Sequence, residues 1–208
     1  MPPVRIAIIF TPTARGSLAL KYTLSEMRLP KLFEIMEIRR VKVYAHWSVL
    51  LLGAIILLGA VEQPLLSFVV VLSYYCVILI HECGHLIAAQ RKGCAVWSIE
   101  LYPLWGITRF NEPYSSRDHC IIAWSGVVAQ ALIAIPLIVG VKVFGYTPYQ
   151  PANAALAILG FFSMSMAVFN LLPVRPLDGA IAWRLLPTLL KRSSTRSQKR
   201  EPGWRSWR

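Results

Sequence analysis

The sequence is poorest in charge. Asp, Glu, Lys and Arg make up 15% of its 208 residues, against roughly 25% in an ordinary soluble domain, and the shortage is concentrated. None of the four occurs in residues 43–61, 63–81, 119–141 or 143–174. As a helix, even the shortest of these windows would extend about 28 Å, close to the roughly 30 Å of a bilayer's hydrocarbon core. A single water-soluble globule is therefore excluded. Acids are scarcest, ten against 22 Lys and Arg, for a net charge of +12. In a soluble protein that excess would point to nucleic acid. Here the bases gather at the ends of the apolar windows, where they orient the chain against a membrane, and no nucleic-acid partner is expected. Cysteine is sparse too, with four residues and no CxxC pair. Cys76 and Cys83 would lie about 10 Å apart along a helix, too far for a disulfide, so all four cysteines are read as small packing residues. The apolar run Ile6 to Phe10 is shorter than the roughly 7 to 15 residues of a secretory signal's core, so the first long apolar segment is expected to be retained.

What is present fits an all-α polytopic membrane protein. The windows place about four transmembrane helices near 44–61, 65–90, 120–141 and 152–173. Segment 1–42 carries eight Lys and Arg, the 91–118 loop four, and the tail from 191 seven, while the remaining two connections carry only Glu62 and Lys142. The positive-inside rule then puts both termini and the middle loop in the cytoplasm of a multi-pass protein of the cell (inner) membrane. Three regions follow: an N-terminal cytoplasmic segment 1–42, a membrane domain 43–190 and a basic tail 191–208. The tail's bases, with Trp204 and Trp207, suit an anionic lipid surface. Residues 1–35 show little periodicity, and Met36 stands just before the basic run Arg39, Arg40, Lys42. The working chain is thus expected to start at Met36 or to tolerate loss of 1–35. Between the second and third spans the pattern changes. Trp97, Ile99 and Leu101 alternate with Ser98, Glu100 and Tyr102, Pro103 to Gly106 carries turn chemistry, and Ile107 to Phe110 can return, which predicts a short β-hairpin at the membrane surface.

Within the second span the chain reads His81-Glu82-Cys83-Gly84-His85, the HExxH pattern. Residues four apart on a helix are offset by about 40°, so both imidazoles can reach one metal ion while Glu82 flanks it as a general base. Ionisable groups at membrane depth cost several kcal/mol unless paired, metal-bound or wet, and so mark function by default; the bland alternative is a polar cluster joining helices. A third ligand is required. Outside HExxH, one acid stands at the end of another hydrophobic segment, Asp178 in Asn170-Leu-Leu-Pro173-Val-Arg-Pro176-Leu-Asp178-Gly179. The prolines there break the helix and free carbonyls, which is tolerated at membrane depth only under protein cover or beside a wet cavity. In the expected topology the second and fourth spans both run toward the cytoplasm, so Asp178 can meet the two histidines. Glu100 and Glu112 are alternative acids, but they fall in the non-helical loop. His46 and His119, near span starts, read as structural.

These two motifs resemble the site-2 protease family of intramembrane zinc metalloproteases, whose signatures are HExxH in one span and NxxPxPxLDG in a later one. His46-Trp47, Leu101-Tyr-Pro103-Leu-Trp-Gly106 and Ser125-Gly126-Val-Val-Ala-Gln130 extend the similarity over about residues 40–185. Three departures stand out: Arg175 where the family usually has proline, Gln130 where asparagine is usual, and Trp105 where glycine is common. The resemblance is to a minimal member without a PDZ domain. It implies one Zn²⁺ per chain held by His81, His85 and Asp178, with Glu82 as the catalytic base. It also implies hydrolysis of peptide bonds in or near the transmembrane segments of membrane-protein substrates, as in regulated intramembrane proteolysis. Asn170, Gly126 and Gln130 are the candidates for holding substrate, and an edge of the 95–110 hairpin could pair with its extended backbone. The competing reading is a non-proteolytic membrane scaffold or transporter with a degenerate site, against which the intact set of four residues argues.

Overall fold

Immediately ahead of the first long helix, residues 41–46 alternate between buried and outward side chains rather than follow a helical stripe, and they are strand. A computed structural model describes residues 9–12, 18–21, 32–59 and 61–184; the tail from 191 and most of 1–31 lie outside the described residues. Strands β1 (Ile9–Pro12) and β2 (Leu18–Lys21) form an antiparallel ribbon. Strands β3 (Leu32–Ile38) and β4 (Val41–His46) form a second hairpin. Val41, Val43 and Ala45 are buried while Lys42 between them is exposed. Arg39 and Arg40 make the two-residue turn with φ of 50° and 65°, a left-handed pair that hairpins usually fill with Asn and Gly. The turn is braced from outside: Arg39 Nε donates to Gln90 Oε1 at 2.9 Å, and Gln90 Nε2 donates to the Arg39 carbonyl at 3.2 Å. Of the basic run Arg39, Arg40, Lys42, the first two are thus a turn docked on the end of a helix, while Lys42 belongs to β4. The expected boundary at residue 42 falls inside β4.

Because residues 41–46 are strand, the first apolar window shortens to α1 (Trp47–Gly59), a helix of 13 residues. That is about 20 Å, less than a hydrocarbon core. Helices α2 (Pro64–Arg91), α3 (Ser116–Phe144) and α4 (Gln150–Asn170) run 28, 29 and 21 residues and are apolar enough to cross. The described residues therefore hold three such helices where four windows were expected. Large apolar side chains such as Leu132, Val143 and Phe68 point outward from these helices, which suits lipid as the surrounding solvent.

The expected hairpin exists as β5 (Val96–Leu101) and β6 (Gly106–Phe110), but it does not stand alone. β5 also pairs with β4 in parallel, giving a four-stranded sheet of order β3-β4-β5-β6. A parallel pair needs a long crossover, and α1 and α2 supply it. Ile99 and Leu101 of β5 pack with Val41 and Val43 of β4 against Ile78 and Leu86 of α2, forming the main hydrophobic core. The sheet thereby lies against the helix that carries HExxH. On the other side of β5 the carboxylate of Glu100 is fully buried. It accepts hydrogen bonds from Arg109 Nε, from Arg109 Nη2 at 3.0 Å and from the Tyr102 hydroxyl at 3.2 Å. The hydrogen bond to that carboxylate holds the Arg109 guanidinium above its ordinary pKa.

Helices α2 and α3 meet closely where Gly84 faces Ser125 and Ala129. A Cβ on Gly84 would sit 2.8 Å from the Ser125 carbonyl carbon and 2.9 Å from Ala129 Cβ, the small-residue approach that membrane helices use. At the surface, Lys92 beyond α2 pairs with Asp118 of α3 at 2.8 Å, and Ser115 caps α3 by accepting from the Asp118 amide. After α4 the chain turns through Leu171 to Asp178 and enters a four-residue helix, α5 (Gly179–Ala182).

Candidate metal centre

The site is assembled from α2, α3, β6 and the turn before α5. His81, Glu82 and His85 are all buried on α2. Helical spacing four residues apart brings the imidazole centroids to 4.7 Å, nearly perpendicular to each other. His85 Nδ1 lies 2.8 Å from the Ile122 carbonyl, which can only accept, so that nitrogen carries a proton, and in the neutral ring Nε2 offers its lone pair. His81 Nδ1 lies 3.0 Å from Gln130 Oε1 in the same sense. Both Nε2 atoms then face Asp178. His81 Nε2 is 2.8 Å and His85 Nε2 3.1 Å from Asp178 Oδ2, and the two nitrogens are 3.1 Å apart.

Among the described residues, this is the group of metal-capable side chains whose donor atoms converge. The triangle of 2.8, 3.1 and 3.1 Å is close to the edges of about 3.3 Å set by tetrahedral zinc with bonds of about 2.0 to 2.1 Å. The nitrogen–oxygen donor set suits the same ion, and each imidazole has the outer hydrogen bond that fixes its tautomer. The residues present fit a zinc ion. Gly126 completes the cradle, since a Cβ there would lie 2.6 Å from His81 Cε1 and 2.8 Å from His85 Cε1. Glu100, the alternative acid, is committed to Arg109 and stands outside the group.

Asp178 is brought to this point by covered backbone. The prolines follow an α4 that ends at Asn170, three residues short of the expected 173, and the freed Leu171 carbonyl accepts from the Trp183 indole at 2.6 Å. Trp124 Nε1 and Cys120 Sγ of α3 donate to the Ala182 and Ile181 carbonyls, so α5, which follows the turn directly, is pinned to the helix that backs the histidines. Cys120, expected only to pack, also donates. Gly179 is tight against the Leu171 and Leu172 carbonyls, leaving no room for a side chain.

A cavity of about 600 Å³ opens beside the three converging side chains, lined by His81, Glu82, His85, Asp178 and Asn170 and by Gly106 to Thr108 of β6. The three expected substrate residues separate here. Asn170 lines the cavity, Gly126 lies under the imidazoles, and Gln130 is fully buried against His81, with its Nε2 lacking a hydrogen-bond partner among the described residues. His119 also lines the cavity, which its place near a span start did not suggest. His46 sits as expected, hydrogen-bonded to Ser48 and stacked on Tyr102. The sequence reading missed Thr108, whose hydroxyl donates to Glu82 Oε2 at 2.7 Å. A threonine in a predicted strand carries no mark of such a role.

Known proteins bear on this geometry. The fold is that of the site-2 protease from Methanocaldococcus jannaschii, with a TM-score of 0.58 at 20% identity, covering 76% of this chain and 72% of that one. In sequence the chain is 27% identical over 128 residues to a Synechocystis sp. protein whose name, zinc metalloprotease, is provisional, a match covering 58% of this chain and 33% of the relative. It is 24% identical over 168 residues to a zinc metalloprotease of Methanocaldococcus jannaschii, covering 78% of this chain and 45% of that protein. The chain thus spans a third to just under half the length of these curated relatives. No family model matches it. The structural likeness shows a shared fold, and the two curated relatives both carry the name zinc metalloprotease.

Proposed function

We propose that this chain is an intramembrane zinc metalloendopeptidase of the site-2 protease type, hydrolysing peptide bonds in or near transmembrane segments of membrane-protein substrates. One observation carries the reading. Two imidazoles from the apolar helix α2 and a carboxylate from the turn before α5 converge within 3.1 Å of one another, with Glu82 lining the same cavity. A structural zinc would take four protein ligands, whereas three leave a position open for chemistry.

Zinc held by His81, His85 and Asp178 would supply Lewis acidity, lowering the pKa of a bound water toward about 7. The chain's own groups do the rest. Glu82 Oε2 is held by Thr108, leaving Oε1 to accept a proton from water in the cavity and return it to the departing amine. Gln130 and the Ile122 carbonyl keep the imidazole tautomers fixed, and Gly126 leaves the rings room. Among the described residues the outer edge of β6 pairs with no further strand, and β6 borders the cavity. An unwound substrate segment can add there as a strand, with its carbonyls exposed to attack. Asn170, across the cavity, offers an amide to that segment. With both termini and the β5–β6 side cytoplasmic, the site opens toward the cytoplasm of the inner membrane.

The test is zinc stoichiometry joined to cleavage of a single-span reporter protein in lipid vesicles. Wild type is expected to hold one zinc per chain, to lose cleavage on chelation and to regain it with Zn²⁺, while Asp178→Ala holds well under one. A folded wild-type preparation without zinc, or full zinc and activity in Asp178→Ala, contradicts the proposal.

A further inference from the structure

Glu82 is gripped from the sheet as well as carried by its helix. Thr108 of β6 places its hydroxyl 2.7 Å from Glu82 Oε2 and 3.2 Å from the Glu82 carbonyl, so its one proton goes to the carboxylate. Two positions earlier on the strand, Gly106 supplies the space: a Cβ there would lie 2.7 Å from both Glu82 Cδ and Oε1. Thr108 and Gly106 lie on the same wall of the cavity as the carboxylate. A glutamate has three side-chain torsions, and a buried one left to itself would settle among several rotamers. Here one oxygen is tied down and the other is kept clear.

We propose that Thr108 is a positioning residue for Glu82, fixing the carboxylate so that Oε1 faces the reacting water, and that Gly106 is required as the space that carboxylate occupies. The inference rests on the proposed proteolytic reading for its catalytic consequence, but the grip itself is a property of the folded chain and can be read without turnover. It also gives β6 a second task. The strand whose free edge would receive substrate holds the base, so substrate and base are registered by the same five residues.

The experiment pairs infrared spectroscopy with kinetics in vesicles. The difference spectrum between wild type and Glu82→Gln identifies the Glu82 carboxyl band. Thr108→Val, which keeps the shape and removes the donor, is expected to shift that band, and Thr108→Ser, which keeps the donor, to leave it in place. With the single-span reporter, Thr108→Val is expected to lower kcat on the order of ten- to a hundredfold, the loss typical of a hydrogen bond to a charged group. KM and zinc content should be unchanged, and Thr108→Ser should recover most of the rate. Gly106→Ala, with zinc retained, should also shift the band. An unshifted band in Thr108→Val, an undiminished kcat in that variant, or its loss of zinc would each overturn the proposal. Absence of any cleavage by zinc-loaded wild type, while the Thr108→Val band shift persists, would instead overturn the proteolytic reading and leave the grip standing.

Discussion

At the scale of single residues, the site depends on what is missing at Gly126 as much as on the ligands. Its absent Cβ leaves the space taken by both imidazoles, and a methyl group there would meet His81 Cε1 at 2.6 Å and His85 Cε1 at 2.8 Å. The rings cannot retreat freely, because Gln130 and the Ile122 carbonyl hold their far nitrogens. Gly126→Ala is therefore expected to weaken zinc binding by about ten- to a hundredfold, as disturbed outer contacts of metal ligands do, which competition with a chromophoric chelator measures. Affinity equal to wild type would show that the cradle yields. His81, Glu82, His85 and Asp178 were legible in the sequence because each breaks a rule of its surroundings: an ionisable group beside or within an apolar run. Gln130 was visible as a polar residue in a span, but its task was not, since only the packing of α3 on α2 shows which imidazole it meets. Thr108 and Trp183 left no sequence signal, because neither is unusual where it stands.

At the scale of elements, alternation marked β5 and the turn residues Pro103 to Gly106 marked a return along β6, and alternation was also present in residues 41–46 but overshadowed. Val41, Val43 and Ala45 alternate with Lys42, Tyr44 and His46, yet most of these residues also belong to a charge-free window that reads as the start of a span. The turn before them lacks Gly and Asn, the usual hairpin signal, because Gln90 braces it from α2. Parallel pairing of β4 with β5 joins residues more than fifty positions apart, and no local pattern encodes it. This bears on the expectation that residues 1–35 are dispensable. Removing residues 1–31 leaves β3 whole and is expected to preserve zinc content and cleavage. Removal through residue 35 takes the first four of the seven β3 residues and is expected to lower thermal stability, because β4 loses half its outer partner. Equal melting of the two truncations would show that β3 adds nothing.

At the scale of the whole molecule, the chain is a sheet and a bundle of apolar helices sharing one helix, α2, which carries the chemistry where the two meet. The distribution of Lys and Arg is expected to orient this assembly. Single cysteines in place of Glu62, between α1 and α2, and Glu112, between β6 and α3, are expected on opposite sides of the membrane, so an impermeant thiol reagent added to intact cells should label the first and spare the second. Labelling of both or neither would contradict the orientation. The central claim is that Glu82 moves the proton in peptide hydrolysis at a zinc site made by His81, His85 and Asp178. Its most direct test compares wild type with Glu82→Gln, matched for zinc content, on a single-span reporter in lipid vesicles. A fall in cleavage rate of about a hundredfold or more, with zinc unchanged, is the result the mechanism requires; equal rates in the two proteins would contradict it.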